Sequence, residues 1–178
     1  MRALLLDRDG VINRDSANYI RSADDWQALP GSLEAIARAQ HAGYGVIVVS
    51  NQSGLARGYF DMRALNAIHQ RLQRDLETLG ARIEAFFICP HGPGDGCCCR
   101  KPRGGLIEAL AERLGIERGT TPFIGDRLSD ARAALAAGVR PLLVRSGLEP
   151  VSEAEARALG DIPVYDDLAA AVEALLCS

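Results

Sequence analysis

The sequence predicts a doubly wound α/β domain with a mainly parallel sheet and helices on both faces, and three observations support this fold class. Short aliphatic runs alternate with amphipathic stretches of helical length along the whole chain. The runs are continuous rather than alternating in polarity, as in parallel strands that are buried on both faces. Several helical stretches begin at Ser or Asp and end at Gly, which are common caps. Together these features predict one domain over residues 1–178.

Six strand and helix pairs follow one another along the chain. Each predicted strand is a short run of aliphatic or aromatic residues, at 3–6, 46–49, 85–88, 122–125, 141–144 and 164–165. Each strand precedes a helix, at 32–43, 61–80, 104–115, 128–138, 152–160 and 167–176. Ser152 and Glu155 form a capping-box pattern at the start of the fifth helix. No segment remains for a separate cap domain, so we expect an open site whose specificity is carried by loops at about 11–30, 52–60 and 90–104.

Composition and charge narrow the classes of partner. Hydrophobic residues make up 48 % of the chain, which is typical of a globular domain and not of a disordered one. The formal net charge of −3 argues against broad nucleic-acid binding, which needs a basic surface. The first apolar run, at 3–6, is too short for a signal peptide or a membrane span. We therefore expect a cytoplasmic monomer that binds a small molecule and neither nucleic acid nor membrane.

Polar residues follow the first four predicted strands. Asp7 and Asp9 follow the first, Ser50 and Asn51 come just past the second, and Asp126 follows the fourth. The third strand leads into a cysteine-rich segment at 89–102 that ends in Arg100 and Lys101. Because ligands in such sheets bind beyond the carboxyl ends of the strands, we expect these groups to converge on one rim.

The aspartates of this rim predict a magnesium site. Asp7 and Asp9 alone could be a solvated acidic turn, but Asp126 brings a third carboxylate from another strand. Clustered carboxylates repel one another and need a cation, and hard oxygen ligands suit Mg²⁺. Asp130 lies one helical turn after Asp126, where it could hold a metal-bound water or start a helix. Both interpretations of Asp130 remain open.

Ser50 and Lys101 add the groups that a phosphate needs. Ser50 offers a hydroxyl donor, although Ser, Asn and Gly also form ordinary turns. Lys101 is the only lysine in the chain, and every other basic side chain except histidine is an arginine. This exception favours a position that requires a compact ammonium group. A carboxylate nucleophile, a second carboxylate, a metal, a hydroxyl and a lysine together indicate phosphoryl transfer.

The cysteine-rich segment predicts a structural zinc site. Cys89 and His91 are followed by Cys97 and Cys99, which gives a complete tetrahedral set of four ligands. In an extended chain Cys98 faces away from its neighbours, so it is the spare thiol. Free thiols or a disulfide between Cys89 and Cys97 are the alternatives. Zinc would fix the Gly- and Pro-rich loop and so orient the two cations that follow it, Arg100 and Lys101. No role is predicted for Cys177.

The order of these motifs resembles the phosphatase branch of the haloacid dehalogenase superfamily, over nearly the whole chain. The segments DRDGVIN (7–13), VVSNQSGLARG (48–58), CPH…CxCRKP (89–102) and GDRLSD (125–130) are similar to one family within it. This is the D-glycero-D-manno-heptose 1,7-bisphosphate 7-phosphatase family, whose relatives include histidinol-phosphate phosphatases. Its CxCRKP pattern selects the same two cysteines, Cys97 and Cys99, as zinc ligands.

The resemblance implies a covalent mechanism. Asp7 would be the nucleophile, and Asp9 would protonate the leaving alkoxide and then activate water. Mg²⁺ would bind the carboxylates of Asp7 and Asp126 and the backbone carbonyl of Asp9. Ser50 and Lys101 would bind the transferring phosphoryl group, and Asn51 is included with them as a phosphate-binding residue. The product would be heptose 1-phosphate, for synthesis of ADP- or GDP-heptose and of the lipopolysaccharide core or related glycans.

Several alternatives remain at this stage. Histidinol-phosphate phosphatase is the nearest one, and an open site also admits a polynucleotide 3′-phosphatase, which the acidic balance disfavours. A zinc-binding module with an inactive site is a candidate from another class. A bisphosphate substrate leaves one phosphate outside the catalytic pocket, and Arg100 is the best candidate to bind it because guanidinium pairs with phosphate bidentately. Arg57 is a weaker candidate, and the alternative is that both are ordinary surface arginines.

Overall fold

The fold is a six-stranded parallel sheet with helices on both faces, as the sequence predicts. The structure is a computed structural model that describes residues 2–177, so residues 1 and 178 of the predicted domain lie outside it. The strands are β1 (Arg2–Leu6), β2 (Tyr44–Asn51), β3 (Ala85–Cys89), β4 (Pro122–Gly125), β5 (Arg140–Val144) and β6 (Val164–Tyr165). The helices are α1 (Ser32–His41), α2 (Met62–Glu77), α3 (Gly105–Leu114), α4 (Leu128–Ala137), α5 (Glu153–Gly160) and α6 (Leu168–Leu176).

The strand order is β3-β2-β1-β4-β5-β6, and every pairing is parallel. The chain begins in the middle of the sheet, proceeds to one edge through β2 and β3, and then returns to build the other side from β4. β1 and β4 are therefore the neighbours at which the winding direction reverses. The loops that leave these two strands diverge and open a crevice, which is where such sheets bind ligands.

Both faces of the sheet are buried. Leu4, Leu6 and Val48 pack on one face in a core that includes residues of α1, α2 and α6. Leu5 and Ile47 pack on the other face with residues of α3 and α4. Because side chains alternate along a strand, each central strand supplies apolar groups to both cores. This explains why the strands are continuous apolar runs in the sequence.

One predicted boundary is wrong in a way that matters for the site. Ser50 and Asn51 do not follow β2 but are its last two residues. Pairing with the edge strand continues to the end, since Ser50 is opposite Ile88 and Asn51 is opposite Cys89. Their positions are thus fixed by the sheet rather than by a loop. The predicted capping box is confirmed, because Ser152 accepts from the Glu155 amide and Glu155 accepts from the Ser152 amide.

The segment between β1 and α1 forms a surface loop rather than a separate cap domain. Within residues 2–177 it contains only two isolated bridges, Asp9 to Asn13 and Asn13 to Ala28. The prediction of a fold without a cap domain is confirmed for this part of the chain. Among the helices of the same residues, none has the length and apolar character required to cross a membrane.

Candidate active site

Lys101 lies at the centre of the polar groups that the strands bring together. Its ammonium is 2.9 Å from Asp7 Oδ2 and 2.7 Å from Asp130 Oδ1, and it donates to the backbone carbonyl of Val49 at 3.0 Å. The side chain is almost completely buried. Burial opposes the charge, but Asp130 and Asp7 outweigh it and raise the pKa of Lys101 above its ordinary value. Lys101 is therefore a permanently charged group at the floor of the site.

Three carboxylates surround a common point beside this lysine. Oxygens of Asp7, Asp126 and Asp130 all lie within 4.8 Å of one another, and the three residues are buried. Burial raises the pKa of Asp126 to about 8, and the charges of Asp7 and Asp130 add to this effect. Burial also raises the pKa of Asp7 to about 6, against the opposing pull of Lys101. The folded chain thus concentrates more negative charge here than its own cations balance.

The Asp126 carboxylate fits a cation site. Neither of its oxygens has a hydrogen-bond partner among the described residues, although buried carboxylates normally have one. Arg127 Nε is 3.7 Å from Asp126 Oδ2. Glycine is required nearby, because a Cβ atom at Gly10 or Gly147 would collide with this carboxylate. Unpartnered buried oxygens from carboxylates are the donor set that Mg²⁺ prefers.

Asp130 starts helix α4, which is one of the two interpretations that the sequence left open. Its Oδ2 accepts from the backbone amide of Arg127 at 3.0 Å and so caps the start of α4. Its Oδ1 faces Lys101 and lies within the carboxylate cluster. The helix start therefore aims this carboxylate into the site.

Asp9 points toward a different set of partners from Asp7. Arg8 holds it with Nε at 3.1 Å and Nη2 at 2.9 Å from Oδ1. Asn13 donates to Oδ1 at 2.9 Å, and Gln52 donates to Oδ2 at 3.0 Å. Although burial opposes the charge, Arg8 and these donors lower the pKa of Asp9. The carboxylate of Asp9 is thus outside the cluster of Asp7, Asp126 and Asp130, and the metal contact of its backbone carbonyl stays a prediction.

Ser50 and Asn51 have different neighbours. Ser50 Oγ accepts from Gln52 Nε2 at 2.8 Å and lines the cavity above the aspartates. Asn51 exchanges two hydrogen bonds with the main chain of Lys101: its Nδ2 donates to the carbonyl and its Oδ1 accepts from the amide, both at 3.1 Å. Asn51 therefore fixes the backbone that carries Lys101, in addition to lining the cavity.

The predicted zinc ligands form a second cluster. One ligand atom from each of Cys89, His91, Cys97 and Cys99 lies within 4.8 Å of the others. His91 Nδ1 is 3.2 Å from Cys99 Sγ, and Cys89 Sγ is 3.1 Å from the same sulfur. Cys98 is exposed and is not among the four, as the alternation of an extended chain predicts. The chemistry and number of these donors fit Zn²⁺.

A cavity of about 460 Å³ lies above Asp7 and Lys101. Three arginines line it, Arg57, Arg100 and Arg127. Arg100 donates to the backbone carbonyl of His91 at 3.1 Å, which ties it to the cysteine loop. Arg127 pairs with Asp15, which also lines the cavity, at 2.7 Å. The opening is therefore rich in cations that could meet an anionic substrate.

Sequence reasoning missed four of these groups. Arg8, Asn13 and Gln52 surround Asp9, and Arg127 pairs with Asp15. Arg8 and Asn13 belong to the DRDGVIN motif and Gln52 lies two residues after Ser50, so proximity to motif residues was an available signal. Arg127 belongs to the GDRLSD motif in the same way, but nothing in the sequence marked Asp15 as its partner.

Comparisons with known proteins find related phosphatases. A family model described as HAD-hydrolase-like matches residues 98–171. The chain is 47 % identical to a D-glycero-β-D-manno-heptose-1,7-bisphosphate 7-phosphatase of Bordetella bronchiseptica, over 99 % of this chain and 98 % of that protein. It is 44 % identical to the protein of the same name from Pseudomonas aeruginosa, with 97 % of each chain covered.

Solved structures agree with these relatives. The D,D-heptose 1,7-bisphosphate phosphatase of B. bronchiseptica, complexed with magnesium and phosphate, superposes with a TM-score of 0.91 at 44 % identity and 99 % coverage of both chains. The D,D-heptose 1,7-bisphosphate phosphatase of Burkholderia thailandensis superposes with a TM-score of 0.72 at 41 % identity, with both chains covered completely.

Proposed function

The chain belongs to the D-glycero-β-D-manno-heptose-1,7-bisphosphate 7-phosphatase family, and we propose that it hydrolyses the 7-phosphate of this sugar to give the heptose 1-phosphate. It is a phosphoric monoester hydrolase of the haloacid dehalogenase fold. The observation that carries the proposal is the placement of Lys101 between Asp7 and Asp130 at the floor of a cavity whose rim holds three arginines.

The carboxylates of Asp7 and Asp126 and the backbone carbonyl of Asp9 would hold Mg²⁺. The unpartnered oxygens of Asp126 support this assignment, and the similar B. bronchiseptica enzyme binds magnesium together with phosphate. When bound, the ion neutralises charge on the phosphoryl oxygens and helps to orient them. Asp130 lies within the same cluster and balances the charge of Lys101.

The first half of the reaction transfers the phosphoryl group to Asp7. Its carboxylate attacks phosphorus, and the bond between phosphorus and the sugar oxygen breaks. Because the bound ester is anionic and opposes the charge of the neighbouring Asp9 carboxylate, Asp9 takes up a proton as the ester binds and gives it to the departing alkoxide. Lys101 and the Ser50 hydroxyl bind the phosphoryl oxygens, where charge stabilisation and alignment contribute most to this chemistry.

The second half releases phosphate. A water molecule attacks the aspartyl-phosphate, and the Asp9 carboxylate takes its proton. The bond between phosphorus and the Asp7 oxygen breaks, which restores the Asp7 carboxylate and frees inorganic phosphate. Asp9 regains the proton that it lost, so the cycle balances as water and phosphate ester giving alcohol and phosphate.

Zinc at Cys89, His91, Cys97 and Cys99 would be structural. Four donors would complete a tetrahedral site and leave no open position for a substrate. The ion would fix the loop from which Arg100 and Lys101 emerge. The Cys/His geometry and the hydrogen bond from Arg100 to the His91 carbonyl support this function.

The remote 1-phosphate needs a cation outside the catalytic pocket. Arg100 and Arg57 line the cavity, and we propose Arg100 as the main contact because its loop is anchored beside Lys101. Arg57 is more exposed, and its side chain forms no hydrogen bond or ion pair within residues 2–177, so it is the weaker candidate.

A panel of phosphate esters tests this function. It comprises the β and α anomers of D-glycero-D-manno-heptose 1,7-bisphosphate, histidinol phosphate and a 3′-phosphorylated oligonucleotide. We expect the β bisphosphate to give the highest kcat/KM, by about a hundredfold or more over histidinol phosphate. Arg100→Ala should reduce this preference by about tenfold or more, whereas Arg57→Ala should change it less. A higher kcat/KM for histidinol phosphate would overturn the proposed substrate.

A further inference from the structure

One buried amide contacts both the phosphate-binding and the acid–base sides of the site. Gln52 is only 3 % exposed, and its Nε2 donates to Ser50 Oγ at 2.8 Å and to Asp9 Oδ2 at 3.0 Å. Its Oε1 accepts from Arg8 Nη2 at 3.4 Å. Its backbone amide donates to the carbonyl of Cys89 at 2.8 Å, so the residue is held from the main chain as well.

The contact with Ser50 determines which way that hydroxyl can donate. A hydroxyl has one hydrogen to donate and two lone pairs to accept with. Because Ser50 Oγ already accepts from Gln52, its hydrogen is available to a partner on the other side. Ser50 lines the cavity above Asp7, so that partner would be a phosphoryl oxygen. Gln52 thus orients Ser50 as a donor toward the phosphate.

The hydrogen bonds to Asp9 leave Oδ2 with fewer donors than Oδ1. Of the two carboxylate oxygens, Oδ2 is therefore better able to exchange a proton. Within residues 2–177, Oδ1 accepts from Arg8 Nε, Arg8 Nη2 and Asn13 Nδ2, whereas Oδ2 accepts only from Gln52 and Arg8 Nη2. Arg8 and Asn13 therefore fix the carboxylate through Oδ1. Oδ2 is then the oxygen that carries the proton to the leaving group, with Gln52 setting its direction.

Arg8 supports this arrangement, although one of its own donor groups is left without a partner. Its side chain is 1 % exposed, and its Nη1 has no hydrogen-bond partner among the described residues. A buried donor without a partner is unfavourable. Its remaining side-chain bonds all go to Asp9 and Gln52, which indicates that the guanidinium is retained for the site and not for stability.

We infer that Gln52 is a positioning residue that couples the phosphate-binding hydroxyl of Ser50 to the acid–base carboxyl of Asp9, with Arg8 as its anchor. The inference rests on the proposed function of these two residues. Gln52 forms and breaks no covalent bond, and it exchanges no proton. It aligns the Ser50 donor and Asp9 Oδ2 on the same phosphate ester, so that the proton reaches the sugar oxygen as its bond to phosphorus breaks.

The first test uses the dependence on the leaving group. Gln52→Met keeps the side-chain length but removes the amide, and Gln52→Glu removes the donor while retaining an acceptor for Arg8. Single-turnover phosphoryl transfer is measured with the heptose bisphosphate, whose alkoxide needs an acid, and with p-nitrophenyl phosphate, whose phenolate does not. We expect both variants to lose at least about tenfold more rate on the sugar than on the aryl ester, as Asp9→Asn should.

The second test isolates the Ser50 side. Inhibition by inorganic phosphate should weaken about tenfold in Gln52→Met and in Ser50→Ala. The double variant should be no weaker than Ser50→Ala alone, because Gln52 acts on phosphate through that hydroxyl. Gln70→Met, at an exposed position of α2, is the matched control and should match the wild type in both tests. Melting temperatures show whether each variant is folded.

Three outcomes would overturn the inference. One is an equal loss on both esters, which is what a merely structural function produces. Another is an additive effect of Gln52→Met and Ser50→Ala on phosphate inhibition. The third is a leaving-group bias in Asp9→Asn that both Gln52 variants lack. If the wild type hydrolyses p-nitrophenyl phosphate but not the heptose bisphosphate, the proposed substrate fails instead, and the same tests proceed with glycerol phosphate as the alkyl ester.

Discussion

Two clusters of ligand-type side chains lie at the carboxyl edge of the sheet, and they are assembled differently. The carboxylate cluster takes Asp7 from the end of β1, and Asp126 and Asp130 from the end of β4 and the start of α4. The Cys/His cluster takes its four members from one segment of eleven residues, Cys89 to Cys99. The first is created by the topology of the sheet and the second by local sequence spacing.

The two clusters also differ in whether protein groups alone balance their charge. Burial and mutual repulsion raise the pKa of Asp126 to about 8, and Lys101 compensates only part of the negative charge. This cluster lowers the stability of the metal-free fold and is suited to binding a cation and a phosphate. The Cys/His cluster has a complete donor set, so a bound ion there would stabilise the loop. Activity should therefore depend on the first cluster and loop stability on the second.

The largest effect should come from the nucleophile. Asp7→Asn preserves shape but cannot form an aspartyl-phosphate, so kcat/KM should fall by at least about a thousandfold. The circular dichroism spectrum should match the wild type, because the substitution removes a charge from a repulsive cluster. Residual activity of several per cent in steady-state assays would show that the covalent mechanism is wrong.

A smaller effect, on stability, should come from Asp126 in magnesium-free buffer with zinc retained. Its pKa of about 8 in the folded state is above its ordinary value of 3.8. Between these values the folded chain binds a proton that the unfolded chain releases, so the free energy of unfolding should fall as pH rises from 4 to 8. Asp126→Asn should flatten this decline and be more stable than the wild type at pH 8 by roughly 2–5 kcal/mol.

Urea denaturation between pH 4 and pH 8 measures this free energy of unfolding. Asp166→Asn is the matched control, since that aspartate is 88 % exposed at the surface beside Arg145. The control should follow the wild-type pH profile. An Asp126→Asn profile that coincides with the wild type would contradict the electrostatic description of the cluster.

Loss of a ligand from the Cys/His cluster should lower stability, whereas loss of the Asp126 carboxylate should raise it. Cys97→Ser should lose zinc and lower the free energy of unfolding by roughly 2–4 kcal/mol, the scale expected for a lost cross-link of a loop of this length. Cys98→Ser, one residue away, should keep about one zinc per chain because Cys98 is exposed outside the cluster. Metal analysis and thermal melting provide the measurement. Equal zinc loss in both variants would show that the ligand assignment is wrong.

The two clusters could be predicted from the sequence to different extents, and the reasons are physical. The Cys/His spacing is local and could be recognised directly, and the convergence of Asp7, Asp126 and Lys101 followed from the rule that strand ends meet. The end of β2 was misplaced because polar Ser50 and Asn51 continue the pairing with β3 beyond the apolar run. A hydrophobic pattern does not mark such residues as strand.

Motif proximity marked the residues around Asp9, but their contacts with it could not be predicted. Arg8 is a charged residue that ordinary composition rules place at the surface, yet it is buried against Asp9 and against Gln52, 44 residues along the chain. The pairing of Arg127 with Asp15 spans 112 residues. Contacts of this kind depend on loop conformations that periodicity and motif order do not determine.

The position of the phosphate that remains on the product tests the central claim most directly. The enzyme is incubated with magnesium and D-glycero-β-D-manno-heptose 1,7-bisphosphate, and the sugar product is examined by phosphorus NMR with proton coupling. Hydrolysis at position 7 predicts a single anomeric phosphate coupled to the proton at carbon 1, together with inorganic phosphate. A product that keeps its phosphate at carbon 7, or loses both phosphates at similar rates, would contradict the assignment.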